Sequence, residues 1–208
     1  MNSDRKYYIS VVVIWLFTIS GIIGICIGYE DWFLGLTPLN LLIYMIIILW
    51  NEQFSKWVCM AMLIPFGIGM ITEYMGVNYG LIFGDYAYGN NLGYKVGGVP
   101  LMIGVNWAIL TYSSAAISQR IHKNSWISAA IAAVLMTALD VIIEVSAPRF
   151  DFWEFTGGTV PLQNYIGWLA TAFVALVLFQ KVIKSLDYRL AMHVFIAIFV
   201  FFTTFLFV

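Results

Sequence analysis

Charge is what this chain has least of. Lys, Arg, Asp and Glu supply 10% of its 208 residues, whereas a soluble domain carries about 25%. That shortage excludes an ordinary water-soluble globule. A net charge of −1 removes any basic face for nucleic acid, and 62% apolar residues exclude a disordered chain. The two cysteines, Cys26 and Cys59, lie inside apolar runs and cannot be a disulfide framework. Histidine is limited to His122 and His193, away from the acids discussed below, so no histidine cluster supports a zinc hydrolase or a di-iron oxygenase. The last apolar run has no lysine for a retinal Schiff base. No glycine-rich phosphate loop or paired-aspartate magnesium motif argues for prenyl transfer. No metal and no cofactor is expected.

What is present is hydrocarbon. Uncharged runs cover residues 7–29, 32–51, 57–72, 96–119, 124–139, 155–180 and 190–208. A helix needs about 20 residues to cross a bilayer core. The short third and fifth runs reach that length by continuing through acids, to Gly76 through Glu73 and to Ala147 through Asp140 and Glu144. The expected fold is therefore all-α: a single integral membrane domain over residues 1–208 with about seven transmembrane helices, in contact with the lipid bilayer along its whole length. With the N-terminus inside, Arg5, Lys6, Lys56, Arg120, Lys123, Lys181, Lys184 and Arg189 fall in inner loops, and only Lys95 and Arg149 fall outside. That asymmetry predicts an N-in, C-out chain in a bacterial cytoplasmic membrane. The first run lacks a cleavage signature and is too long for a signal-peptide core, so it reads as a retained span. Trp32, Trp50, Trp57, Trp126 and Trp153 lie near run ends as interfacial anchors, and Gly24-x-x-x-Gly28 suggests close helix packing.

The segment 76–98 holds seven of the seventeen glycines, mixed with aromatic residues. Such a stretch predicts a folded-back cap or a shielded re-entrant segment rather than a lipid-exposed helix. It leads into Gly97-Gly98-Val99-Pro100-Leu101, with Trp107 seven residues after the proline. Later come Gly157-Gly158-Thr159-Val160-Pro161-Leu162 and Trp168, again seven residues after the proline. An aromatic loop containing an acid precedes each copy, Phe83-Gly84-Asp85-Tyr86-Ala87-Tyr88 and Phe150-Asp151-Phe152-Trp153-Glu154-Phe155. Each loop follows a span with acids in its outer half. The order predicts a parallel internal repeat of spans 3–4 and 5–6.

Asp140 and Glu144 are one helical turn apart, on one face. Asp140 lies about 10 Å below the outer end of its helix. At that depth a carboxylate costs roughly 2.5–3.5 kcal/mol, so it must face the bundle and find partners. Two such groups cannot both ionise easily, and an acid that keeps its proton beside an ionised one suits general acid–base chemistry. A hydrogen-bonded clamp between helices is the structural alternative. Asn106 and Trp107, with Asn164, Tyr165 and Trp168, are expected to complete a pocket at the same level, the aromatic faces stabilising a cation.

These motifs resemble the carotenoid biosynthesis membrane proteins of the CruF type over about residues 70–170. The first half of the likeness is Glu73-x-x-Gly76-x-x-x-Gly80-x-x-Phe83-Gly84-x-Tyr86-x-Tyr88, then Gly98-Val99-Pro100 and Trp107. The second half is Asp140-x-x-x-Glu144, Trp153 and Pro161-x-x-Asn164-x-x-Gly167-Trp168. The chain departs at Val145, where the family often has proline, and at the inserted Thr159. The resemblance implies a carotenoid 1,2-hydratase, a cofactor-independent hydro-lyase. It would add water to the terminal C=C of an acyclic ψ end group, giving a tertiary alcohol. Asp140, Glu144 and Glu73 are then the catalytic candidates. Asp85, Tyr86, Tyr88, Asn106, Trp107, Trp153, Asn164, Tyr165 and Trp168 are the candidates for binding the carotenoid. Substrate and water are the expected partners, with no nucleic acid, and a homodimer is left open. A cyclase using the same carbocation, or a proton-coupled transporter, is the competing expectation.

Overall fold

The computed structural model describes residues 3–183 and 185–208; Lys184, counted above among the inner basic residues, lies outside the described residues. The described residues form eight helices and four very short strands. The helices are α1 (Ser3–Cys26), α2 (Glu30–Gly35), α3 (Thr37–Asn51), α4 (Lys56–Tyr79), α5 (Leu101–Ile121), α6 (Ser125–Ser146), α7 (Leu162–Val182) and α8 (Tyr188–Thr204). The strands are β1 (Tyr86–Tyr88), β2 (Lys95–Val96), β3 (Val99–Pro100) and β4 (Trp153–Phe155). Five helices (α1, α4, α5, α6 and α7) are long and apolar enough to cross a membrane. Two more apolar helices, α3 and α8, are shorter at 15 and 17 residues.

The expected second span is broken. Pro38 stands in the first turn of α3, where it has no N–H to offer Leu34 and its ring would collide with that carbonyl. The chain therefore bends at Leu36, and 32–51 becomes the six-residue α2 followed by α3. Gly24 and Gly28 do not form a helix-pairing motif either. The ring of Phe33 covers Gly24, while Gly28 lies beyond the end of α1 at φ 94°. There the N–H of Tyr29 donates to the Gly24 carbonyl at 2.9 Å and that of Gly28 to Ile25 at 3.1 Å. This is a helix stop that uses glycine's freedom at positive φ.

Helix α5 is the centre of the bundle and touches α3, α4, α6, α7 and α8. Small residues on buried faces let the helices close. On α6 the buried stripe runs Ser128, Ala129, Ala132, Ala133, Met136, Leu139, Asp140, Ile143 and Glu144, whereas Val134, Val141 and Val145 point outward. The helix thus turns its aliphatic side outward and its acids inward, as a lipid solvent requires.

The glycine-rich stretch is a cap, as one of the two expected forms. Helix α4 continues past Gly76 to Tyr79 and stops at the left-handed Gly80. Gly97 and Gly98, both at positive φ, turn β2 into β3. Strand β1 pairs antiparallel with β4, with Tyr86 opposite Phe155 and Tyr88 opposite Trp153. The two aromatic loops are thereby joined over one end of the bundle. Arg149 pairs with Glu30 at 3.0 Å at that same end. The opposite end gathers the N-terminal part of α1 with Trp50, Glu52, Tyr112 and Asp187: Lys6 donates to the Trp50 carbonyl, while the Tyr112 hydroxyl and the Asp187 N–H both donate to Glu52. Trp32, Trp57 and Trp126 are exposed as anchors should be, but Trp153 turns inward because its strand pairs with β1.

Candidate functional site

Glu73, Asp140 and Glu144 line a single cavity beneath the cap. All three are buried, at 3%, 1% and 6% exposure. Glu73 comes from α4, and the two others from α6, one turn apart. Close helix contact is what brings them together. A Cβ on Gly69 would lie 2.4 Å from Cγ of Trp107, and one on Gly76 would lie 2.6 Å from the Tyr86 hydroxyl. Glycine at those two positions lets α5 and the cap reach Glu73.

The carboxylates have unequal surroundings. Glu73 accepts three hydrogen bonds: from the Tyr86 hydroxyl, from the Tyr88 hydroxyl at 2.6 Å, and from the Trp107 indole N–H at 3.1 Å. Glu144 accepts from the Trp153 indole at 2.9 Å and from the Asn164 amide at 3.0 Å. Asp140 accepts only the other Asn164 N–H, at 3.2 Å, and its Oδ1 is buried with no partner among the described residues. Burial first, and then the Glu73 charge, push the phenols of Tyr86 and Tyr88 well above the ordinary tyrosine range. Both therefore stay protonated and act as donors.

Rings close the remaining walls. Trp107 and Trp168 stack with centroids 4.4 Å apart and planes 13° apart. Phe83 tilts against both at 6.4 and 6.2 Å. Trp107 turns its indole N–H edge to Glu73 and a face to Trp168, so the wall beside the acids is aromatic, a suitable lining for a transient cation. The cavity measures about 20 Å³, enough for roughly one water molecule.

Of the residues proposed from sequence, Glu73, Tyr86, Tyr88, Asn106, Trp107, Asp140, Glu144, Trp153, Asn164 and Trp168 line the cavity together. Asp85 and Tyr165 do not. Asp85 is exposed at the start of the strand pairing, where its carbonyl accepts the Thr156 N–H at 2.9 Å. Tyr165 follows Asn164 on α7, so the helical rotation of about 100° per residue carries it to the side. Phe83, Ile103, Ile143 and Phe155 also line the cavity and were missed. Phe83 and Phe155 were legible as members of the two aromatic loops. Ile143 was legible as the position three after Asp140, on the same helix face. No cluster of three metal-ligating side chains occurs among the described residues.

The carotenoid biosynthesis protein family matches residues 34–208, which include every residue of this cavity. The chain belongs to that family. Among curated proteins, the bisanhydrobacterioruberin hydratase of Haloarcula japonica is 30% identical over 118 residues. The alignment covers 52% of this chain and 40% of that protein, so the chain spans well under half of the relative's length. No solved structure matches the chain. In this member of the carotenoid biosynthesis family, three carboxylates on two helices meet under an aromatic cap.

Proposed function

We propose that this protein is a carotenoid hydratase of the 1,2 type, which adds water to the terminal C=C of an acyclic end group without a cofactor. The observation that carries the reading is a water-sized cavity bordered by three unequally bonded carboxylates. Asp140, with one oxygen free of partners among the described residues, is the proton donor. Glu73 accepts three hydrogen bonds and Glu144 two, so both carboxyl groups are held in place to receive the water proton. Protonation of the alkene by Asp140 forms a C–H bond from the π pair and leaves a tertiary cation facing the indole rings. Water oxygen attacks the cation as Glu144 or Glu73 takes the water proton. Transfer of that proton back to Asp140 restores the site, so alkene plus water becomes alcohol with nothing left over. The hydratase relative and the polar, water-sized cavity favour this reading over a cyclase, whose cation must be kept from water.

The same reading includes seven spans in one membrane domain, α3 and α8 being the short ones, with the N-terminus inside a bacterial cytoplasmic membrane. It includes the internal repeat, α4–α5 against α6–α7. The pairing of β1 with β4 and the stacking of Trp107 on Trp168 support it, since each joins corresponding positions of the two halves.

Pigment analysis in a host that accumulates an acyclic carotenoid tests the reaction. The wild type is expected to yield a monohydroxylated or dihydroxylated tertiary alcohol, and a ring product or unchanged pigment contradicts the proposal.

A further inference from the structure

A second, larger cavity adjoins the carboxylates. It has about 220 Å³ of space and lies between α1, α3 and α8 on one side and α5 and α6 on the other. Ile103, Asn106, Ile143 and Trp153 line both cavities, so these four side chains are the partition between them. The chamber's rim includes Trp32 and Leu39, which are 62% and 50% exposed, while its depth includes Ile25 and Tyr44, which are buried. It therefore leads from the outer face of the bundle to the threshold of the acids. The break between α2 and α3 contributes to this opening, since Phe33, Leu36 and Thr37 all line it.

The wall is mostly hydrocarbon; Asn40 and Asn106 are its amides, and the Asn40 Oδ1 is buried without a partner among the described residues. Its buried hydroxyls are tied to each other, Thr18 to Tyr44 at 2.7 Å and Thr18 to the Ile14 carbonyl at 2.8 Å. They offer little to a polar ligand. Pockets that enclose a whole drug-sized molecule hold about 300–1,000 Å³, so this chamber takes the end segment of a chain and leaves the remainder outside. A polyene dissolved in the bilayer meets that requirement, since its reactive double bond is terminal.

We propose that this chamber receives the isoprenoid chain, whose end group reaches the acids past Asn106 and Trp153. Water and alkene then approach Asp140 from opposite sides of one partition. The proposal rests on the hydratase reading for the reaction at the chain's end, but the chain's location is tested separately. The protein is purified from a host making an acyclic carotenoid, bound polyene is measured by visible absorbance per mole of protein, and product is measured by chromatography. Gly21 and Ile198 line the chamber, and a Cβ on Gly21 already comes within 3.3 Å of Phe201. Gly21→Leu and Ile198→Trp are expected to lower bound polyene and product together by roughly tenfold, equivalent to about 1.4 kcal/mol. Ile71→Trp, on the exposed side of α4, is expected to change neither. Asp140→Asn is expected to keep the polyene while losing the product. Wild-type polyene content in both chamber variants, or a wild-type protein holding only lipid acyl chains, overturns the chamber. Should Gly21→Leu fail to accumulate, Ile198→Trp decides by itself. Polyene lost on occlusion but never hydrated, even by the wild type, supports the chamber and overturns the hydratase instead.

Discussion

Asp140 differs from Glu73 and Glu144 in what its oxygens meet. One is held by Asn164, and the other has no protein partner among the described residues. Asn at this position keeps the shape but cannot release a proton, so Asp140→Asn is expected to lower hydration by about 10²–10⁴-fold, the usual share of a general acid. Folding and bound pigment are expected to persist, as read by thermal melting and absorbance. Glu73→Gln and Glu144→Gln should slow conversion, at least one of them severely. The cap tyrosines add a pH signature. Their protons are held more tightly in the folded state than in the unfolded state, where a tyrosine titrates at about 10. The stability they contribute is therefore complete below that pH and is lost as the pH rises above it. Melting temperatures measured from pH 9 to 11 should decline less steeply in Tyr86→Phe than in the wild type. An identical alkaline decline would show that the buried phenol is not the source.

At the scale of elements, the site depends on how closely α4 approaches α5. Gly69 is the point of contact, because the base of the Trp107 side chain, rather than a movable tip, occupies the position of any Cβ there. Gly69→Val should cost about 1–3 kcal/mol, as overpacking of a filled interior does. It should also displace Trp107 from Glu73, lowering both the melting temperature in detergent and hydration. The mixed origin of the cap explains why so little of it was readable. Gly97-Gly98 announces a turn by composition, but the partner of β1 is β4, from a loop more than sixty residues later. Short-range patterns carry no information about such pairing. The same limit applies to Asp85, whose neighbours Tyr86 and Tyr88 face inward. Strand alternation decides which side each residue takes, and alternation becomes visible only once the strand is known.

At the scale of the molecule, one end carries most of the positive charge and the other carries the cap and the acids. The described basic residues outside the cap end are Arg5, Lys6, Lys56, Arg120, Lys123, Lys181 and Arg189, against Lys95 and Arg149 near it. In the proposed orientation, with the basic end in the cytoplasm, the carboxylates would lie in the non-cytoplasmic half. A reporter enzyme fused after Val208 is expected to report a non-cytoplasmic C-terminus; cytoplasmic activity would refute the orientation.

Composition by itself determined that the chain is an all-helical protein of apolar helices, because uncharged runs of this length have no stable form in water. Helical spacing by itself placed Asp140 and Glu144 on one face, and the recurrence of acid, aromatic loop, Gly-Gly and Pro singled out the cavity-lining segments. Only the tertiary structure decided that Glu73 joins them, that Asn164 bridges Asp140 and Glu144, that Trp153 faces inward, and that the 32–51 run bends at Pro38 beside an apolar chamber. The physical reason is one of range. Hydropathy and periodicity are properties of neighbouring residues, whereas a hydrogen bond between α6 and α7, or a glycine yielding its place to an indole, exists only after helices distant in sequence have packed.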